Sequence, residues 1–168
     1  MKVSISRYFK NGNPQKIDVR IDPWDTWSMD NTLAHIIHPM LVQLKATKHG
    51  SPEVADEDVP DRLKSSVAEK PKDADSYDSF YHDRWNWVLD EMIWAFEQIN
   101  KDWEANFSSG NIDWKFVPID PKDPNSATRP VYGPNHTFKF DNDGYKAHLE
   151  RMQNGFRLFG KYYLALWD

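Results

Sequence analysis

The stretch SFYHDRWNWVLDEMIWAFEQINKDWE, residues 79–104, decides the fold. Trp85, Val88, Leu89, Met92, Phe96, Ile99 and Trp103 recur at steps of three and four. At roughly 100° per residue they make one apolar stripe on a long α-helix. A second stripe, Trp87, Glu91, Trp94 and Gln98, runs along the opposite side. A helix that is apolar on two faces is either central in a bundle or presents one face to another molecule.

Upstream of it, residues 51–78 hold nine acids, four bases and three prolines, with little apolar periodicity. This segment carries the whole net charge of −5 and leaves the remainder balanced. Its length and composition predict an exposed acidic connector, with one helical turn near Asp61–Ser65. Before it, Ser28 is placed as an N-cap, with Asp30 in the first turn facing the positive end of a helix. Leu33, Ile36, Ile37, Met40, Leu41 and Leu44 follow as a single stripe that Gly50 closes. Pro39, in the middle of that helix, predicts a kink, because it has no N–H to give to the His35 carbonyl. At the amino end, Val3, Ile5, Ile17, Val19 and Ile21 alternate with polar residues around Lys10-Asn11-Gly12-Asn13-Pro14, the pattern of a β-hairpin with an Asn-Gly turn.

Downstream, the chain breaks at residues 106–110. Trp114, Phe116 and Ile119 alternate as a strand, with Thr137-Phe138-Lys139-Phe140 expected as its partner across the Pro-rich stretch 121–134. Asp141-Asn142-Asp143-Gly144 then caps a third helix whose stripe, from Tyr145 through Leu149, Met152, Phe156, Phe159 and Tyr163 to Leu166, runs to the carboxyl end. Gly155 and Gly160 flank it and predict close helix–helix approach, since glycine otherwise costs about 1 kcal/mol in a helix interior. The expected class is α+β: three long helices packed with a small antiparallel sheet or two β-hairpins, in a single domain over 1–168.

With no cysteine among 168 residues, disulfides, thiolate metal sites and cysteine nucleophiles are excluded. No stretch approaches the ~20 apolar residues of a membrane span, and the first residues show no secretory h-region. No Lys/Arg cluster with interleaved aromatics stands out, which argues against nucleic-acid binding. No phosphate loop, serine elbow or kinase set is present. His82-Asp83 matches a phosphohydrolase dipeptide that chance alone supplies about once at this composition. Asp141-x-Asp143-Gly144 lacks the later ligands of a calcium loop and reads as a helix cap.

The candidate site is the second stripe of the central helix. Trp87 and Trp94, separated by Glu91, offer aromatic anchors for a partner or a flat ligand, with His35 and His38 placed nearby on their own helix. A rival reading joins His35, His38 and Glu91 around a metal ion in a phosphoester or nucleotide hydrolase.

The runs Trp24–Ala34, Pro39-Met40-Leu41, Leu44–Gly50, Asp56–Pro60, Arg84–Met92 and Phe156–Tyr163 resemble an uncharacterised group of proteins encoded by tailed bacteriophages. That resemblance implies a viral origin and no particular catalytic residue. Together with the surplus aromatic stripe it leads to the expectation of a non-catalytic accessory protein in the host cytoplasm. Such a protein would bind a host or phage protein, or a flat small-molecule or nucleotide-like ligand, and need no cofactor or metal. A virion or assembly component is the remaining alternative.

Overall fold

The computed structural model describes residues 1–6, 15–71, 73, 76–123 and 125–167. Among them three α-helices carry the fold: α1 over Met29–Thr47, α2 over Tyr81–Ile99 and α3 over Asn142–Lys161. The two-faced pattern of α2 is resolved by its position, since it packs on α1 along one side and on α3 along the other. Trp85, Val88, Leu89 and Met92 are fully enclosed, with Ala34 and Leu41 from α1 and Leu158 from α3 closing around them. α2 stops five residues before the expected end, so Trp103 lies beyond it, stacked on Tyr145 and His148 of α3.

Gly155 behaves as its placement predicts. A Cβ there would fall inside the Ala95 methyl and 2.7 Å from the Glu91 carbonyl oxygen, so α2 and α3 touch at backbone distance. Gly160 does not behave so; its Cβ position faces open space. Ser28 occupies the N-cap of α1 but its side chain makes no capping bond, whereas the Asp141 carboxylate accepts from Gly144 N at 3.0 Å at the start of α3.

The acidic segment is no free connector. Val54, Asp58 and Val59 are buried, and two short 3-10 turns, Asp56–Asp58 and the anticipated one at Asp61–Leu63, tighten it into a strap. Two clamps hold it. The Asp58 carboxylate, wholly enclosed, lies 2.7 Å from Arg157 Nη1 and 2.5 Å from Lys161 Nζ. It also accepts the Tyr162 hydroxyl at 2.6 Å. At the other end, buried Arg84 donates to both Asp78 oxygens and to the Leu63 carbonyl. The strap lacks a helical period because its apolar residues fill the core singly, and two of its carboxylates, Asp58 and Asp78, are spent on clamps while Glu57 and Asp61 face solvent.

The β-structure consists of separate two-stranded pairs. β1 (Lys2–Ile5) and β2 (Ile17–Arg20) form the expected hairpin, with Val3 opposite Val19 and Ile5 opposite Ile17; the Asn-Gly turn lies outside the described residues. β3 (Ser108–Ser109) pairs with β6 (Lys139–Phe140), and β4 (Trp114–Pro118) with β5 (Thr128–Tyr132). The partner expected for β4 was residues 137–140; the nearer Thr128–Tyr132 takes that place instead. Pro130 does not prevent this, because a strand in a two-stranded pair has a free edge on which a missing N–H is tolerated. Residues 139–140 turn back to residue 108, and Gly110, at φ 78°, makes that approach possible where a side chain would strike the Thr137 carbonyl.

Candidate functional site

The residues read as a site are not gathered into an open surface. Glu91 is buried against α3, where Arg151 grips it with two bonds, Nη2 to Oε1 at 2.7 Å and Nε to Oε2 at 3.0 Å. The same guanidinium lies 3.9 Å from the Trp94 ring centre, and His148 packs on that indole at 4.9 Å. Trp87 is half-buried and packs against the core. What covers this stripe is therefore a helix rather than a β-layer. His35 is exposed and His38 half-buried on α1, and among the described residues no three His, Asp or Glu side chains come together to hold a metal ion. With Glu91 committed to Arg151, the ligand set of the hydrolase reading is not assembled.

His148 completes this junction. It is stacked on Trp103 at 4.5 Å, set edge-on to Phe107 at 5.5 Å, and its Nε2 is buried without a bonding partner. Burial, and then the neighbouring Arg151 charge, hold its imidazole below the ordinary histidine range. The cluster is a neutral aromatic joint between α2, α3 and the turn at Glu104–Phe107.

Concavities formed by the described residues lie elsewhere, and two bear on function. The first, of about 580 Å3, lies under the strap and is lined by Glu53, Asp56, Tyr77, Asp78, Tyr81 and Arg84 among others. Three of its charged groups, Asp56, Asp78 and Arg84, are already bonded internally. Asp56 accepts from Ser65 N and Oγ, at 2.7 and 2.5 Å, and Asp78 is held by Arg84. Those bonds keep both carboxyls below the usual carboxylate range.

The second is an apolar groove of about 910 Å3 between α1 and the carboxyl-terminal segment. α1 supplies Ile37, Met40, Leu41 and Leu44, members of the single apolar stripe read from its sequence. Leu41 is enclosed, but Met40 is 60% exposed, so the stripe is wider than the core it covers. The facing wall is Phe159, Tyr163, Leu166 and Trp167. α3 ends at Lys161 while its apolar pattern continues through a 3-10 turn, Tyr163–Ala165, and this carries the last aromatics away from α2 and over α1. Phe159 and Tyr163 meet edge-on at 5.6 Å. Gln43 and Thr47 are polar groups at its rim, and among the described residues no Lys, Arg, Asp or Glu lines it. An apolar stripe that outlasts its helix was the sequence signal for this groove.

No protein-family model, curated protein or solved structure matches this chain. No described helix is long and apolar enough to cross a membrane.

Proposed function

We propose that this chain is a non-catalytic binding protein that holds a flat, uncharged, largely apolar small molecule in the groove between α1 and the carboxyl-terminal segment. The observation that carries this reading is the groove's lining. Aliphatic and aromatic walls enclose about 910 Å3, within the roughly 300–1,000 Å3 typical of small-molecule sites. Rings of Phe159, Tyr163 and Trp167 suit a planar ligand, and Gln43 and Thr47 can fix its orientation by hydrogen bonds. A nucleotide's phosphates would find no cation among the described residues of the lining to meet them, which favours an uncharged ligand. On the bacteriophage resemblance of the sequence, the protein would act as an accessory factor in the host cytoplasm.

The test is titration with N-phenyl-1-naphthylamine, an uncharged planar fluorophore, followed by its emission. Met40→Glu and Trp167→Ala alter exposed side chains of the groove, so both variants should fold and bind the probe at least tenfold more weakly. Trp24→Ala, in an exposed position outside the groove, should bind it unchanged. Equal binding by the groove variants and the parent would overturn the reading.

A further inference from the structure

We infer that His148 is a proton-operated catch: neutral, it holds the turn Glu104–Phe107 against α3, and protonated, it lets the turn go. The geometry suits the uncharged ring. Its Nε2 is buried and, among the described residues, has no bonding partner. A neutral imidazole can leave that nitrogen without hydrogen; an imidazolium makes both nitrogens donors. Protonation would therefore place an unanswered N–H and a positive charge in a dry position. The surrounding rings return little of this. An indole face attracts a cation, but Trp94 already carries the Arg151 guanidinium at 3.9 Å, which leaves that contact to Trp103, stacked on His148 at 4.5 Å.

The charges on the packed elements act in the same direction. Arg151, one turn along α3, repels a second cation at His148. The nearby carboxylates are engaged elsewhere or lie in water. On α2, Glu91 is bonded to Arg151 and Glu97 to Lys101. On α3, Asp141 caps Gly144 and Glu150 pairs with Lys146 at the surface. Asp102 and Glu104, on either side of Trp103, are exposed. Tyr145, the remaining titratable group of the stack, stays neutral at any pH at which histidine titrates. The turn itself is lightly held. Residues 104–106 are exposed, and Trp103 and Phe107 are the half-buried side chains that fasten it, through Tyr145 and His148. The Phe107 carbonyl also accepts from Asp141 N at 2.8 Å. An element with so few buried contacts opens locally, without unfolding the rest. The sign follows. The closed joint takes up the proton less readily than the open one, in which the ring meets water. Closure is strongest above about pH 6.5, the value of a free histidine, and weakens as pH falls through the lower value of the closed joint.

The experiment is amide hydrogen exchange by NMR on the full chain, corrected for the intrinsic rate at each pH. The reporters are the amides of Asn106, Ser108 and Asp141, whose bonds close the turn. Their opening constant should rise at least threefold between pH 7.5 and 5.0; one proton can drive at most about thirtyfold over that range. At every pH they should exchange at least tenfold faster than amides in the middle of α2, the mark of local opening. His148→Phe keeps a ring in the stack and removes the titration, so its turn should stay closed across the range, with helical circular dichroism retained. In the parent, the His148 ring signals should titrate below pH 6.5. Protection that does not change with pH, a His148 that titrates at 6.5 or above, or turn amides as slow as those of α2 would overturn the inference, and each is read in the parent alone. So would a pH response that persists in His148→Phe. None of these residues lines the groove, so probe binding is a separate readout and either reading can fail without the other.

Discussion

Replacing Asp58 by alanine removes the charge to which Arg157, Lys161 and Tyr162 all turn, and frees the strap from α3. Breaking a fully buried ion pair costs about 3–5 kcal/mol, because the partner is left charged and dry. Here the partners are not dry: the Arg157 and Lys161 side chains are 48% and 35% exposed, and Lys161 keeps Glu57 at 2.8 Å. The larger loss falls on the buried Tyr162 hydroxyl, which would still accept from Ala55 N at 3.1 Å but have nowhere to donate. An unsatisfied buried group of that kind costs about 1–3 kcal/mol. With the diminished ionic contribution, Asp58→Ala should destabilise by about 2–3 kcal/mol, lowering the melting temperature by roughly 5–10 °C for a chain of this size. Asp58→Asn, which keeps an acceptor for Tyr162, should lose about half as much.

Acid supplies the second half of this test. Burial pushes the Asp58 carboxyl up, but Lys161, Tyr162 and Arg157 together outweigh it and hold it below the usual range. The folded state therefore takes up this proton less readily than the unfolded state does. The stabilisation is complete above about pH 4, the unfolded carboxyl's value, and is lost as pH falls through the lower folded one. Urea unfolding followed by circular dichroism should show parent and Asp58→Ala far apart at pH 7 and converging below pH 4. A cost under 1 kcal/mol at pH 7, or a gap that stays constant down to pH 2.5, would refute the clamp.

The two glycines of α3 should respond with opposite signs. Gly155→Ala forces a methyl into Ala95 and the Glu91 carbonyl and should cost about 1–3 kcal/mol in urea unfolding as overpacking. Gly160→Ala has open space and should gain about 0.5–1 kcal/mol from helix propensity. At the α2–α3 junction, Arg151→Ala strands the buried Glu91 carboxylate and also removes the cation from the Trp94 ring. It should lower stability by about 2–4 kcal/mol, while Arg151→Ala combined with Glu91→Gln recovers part of that loss. Probe binding in the groove should be unchanged in both.

How far the sequence could be read depends on where each residue's partner lies. The α2 stripe is legible because its members are neighbours along one helix. Its second stripe is ambiguous because the residues that complete it, Arg151 and His148, stand some sixty positions away and belong to a different periodicity. Glu91 between two tryptophans thus resembles an exposed anchor, yet it is the buried half of an ion pair. The strap shows the same limit from the other direction. A run with a charge of −5 describes solvated loops well, and nothing local marks Asp58 as the one carboxylate that three residues of α3 and its end will surround. The β4 partner was missed because Thr128–Tyr132 lies inside the Pro-rich stretch 121–134 that was read as a loop, although a proline is tolerated on the free edge of a two-stranded pair. The groove was half visible: the α1 stripe and the continuation of the α3 pattern past Lys161 were each noted, but nothing local shows that the two face each other.

The Asp58 clamp joins positions 104 apart in the chain. Closing so wide a loop sacrifices chain freedom before any contact rewards it. During synthesis, the Asp58 clamp cannot form until Arg157, Lys161 and Tyr162 have left the ribosome. The packing of the two earlier helices gains its seal only as the third is completed. The clamp is thus a late-forming latch relative to the first two helices, and apolar surface still open before it shuts is exposed to agents that capture such segments.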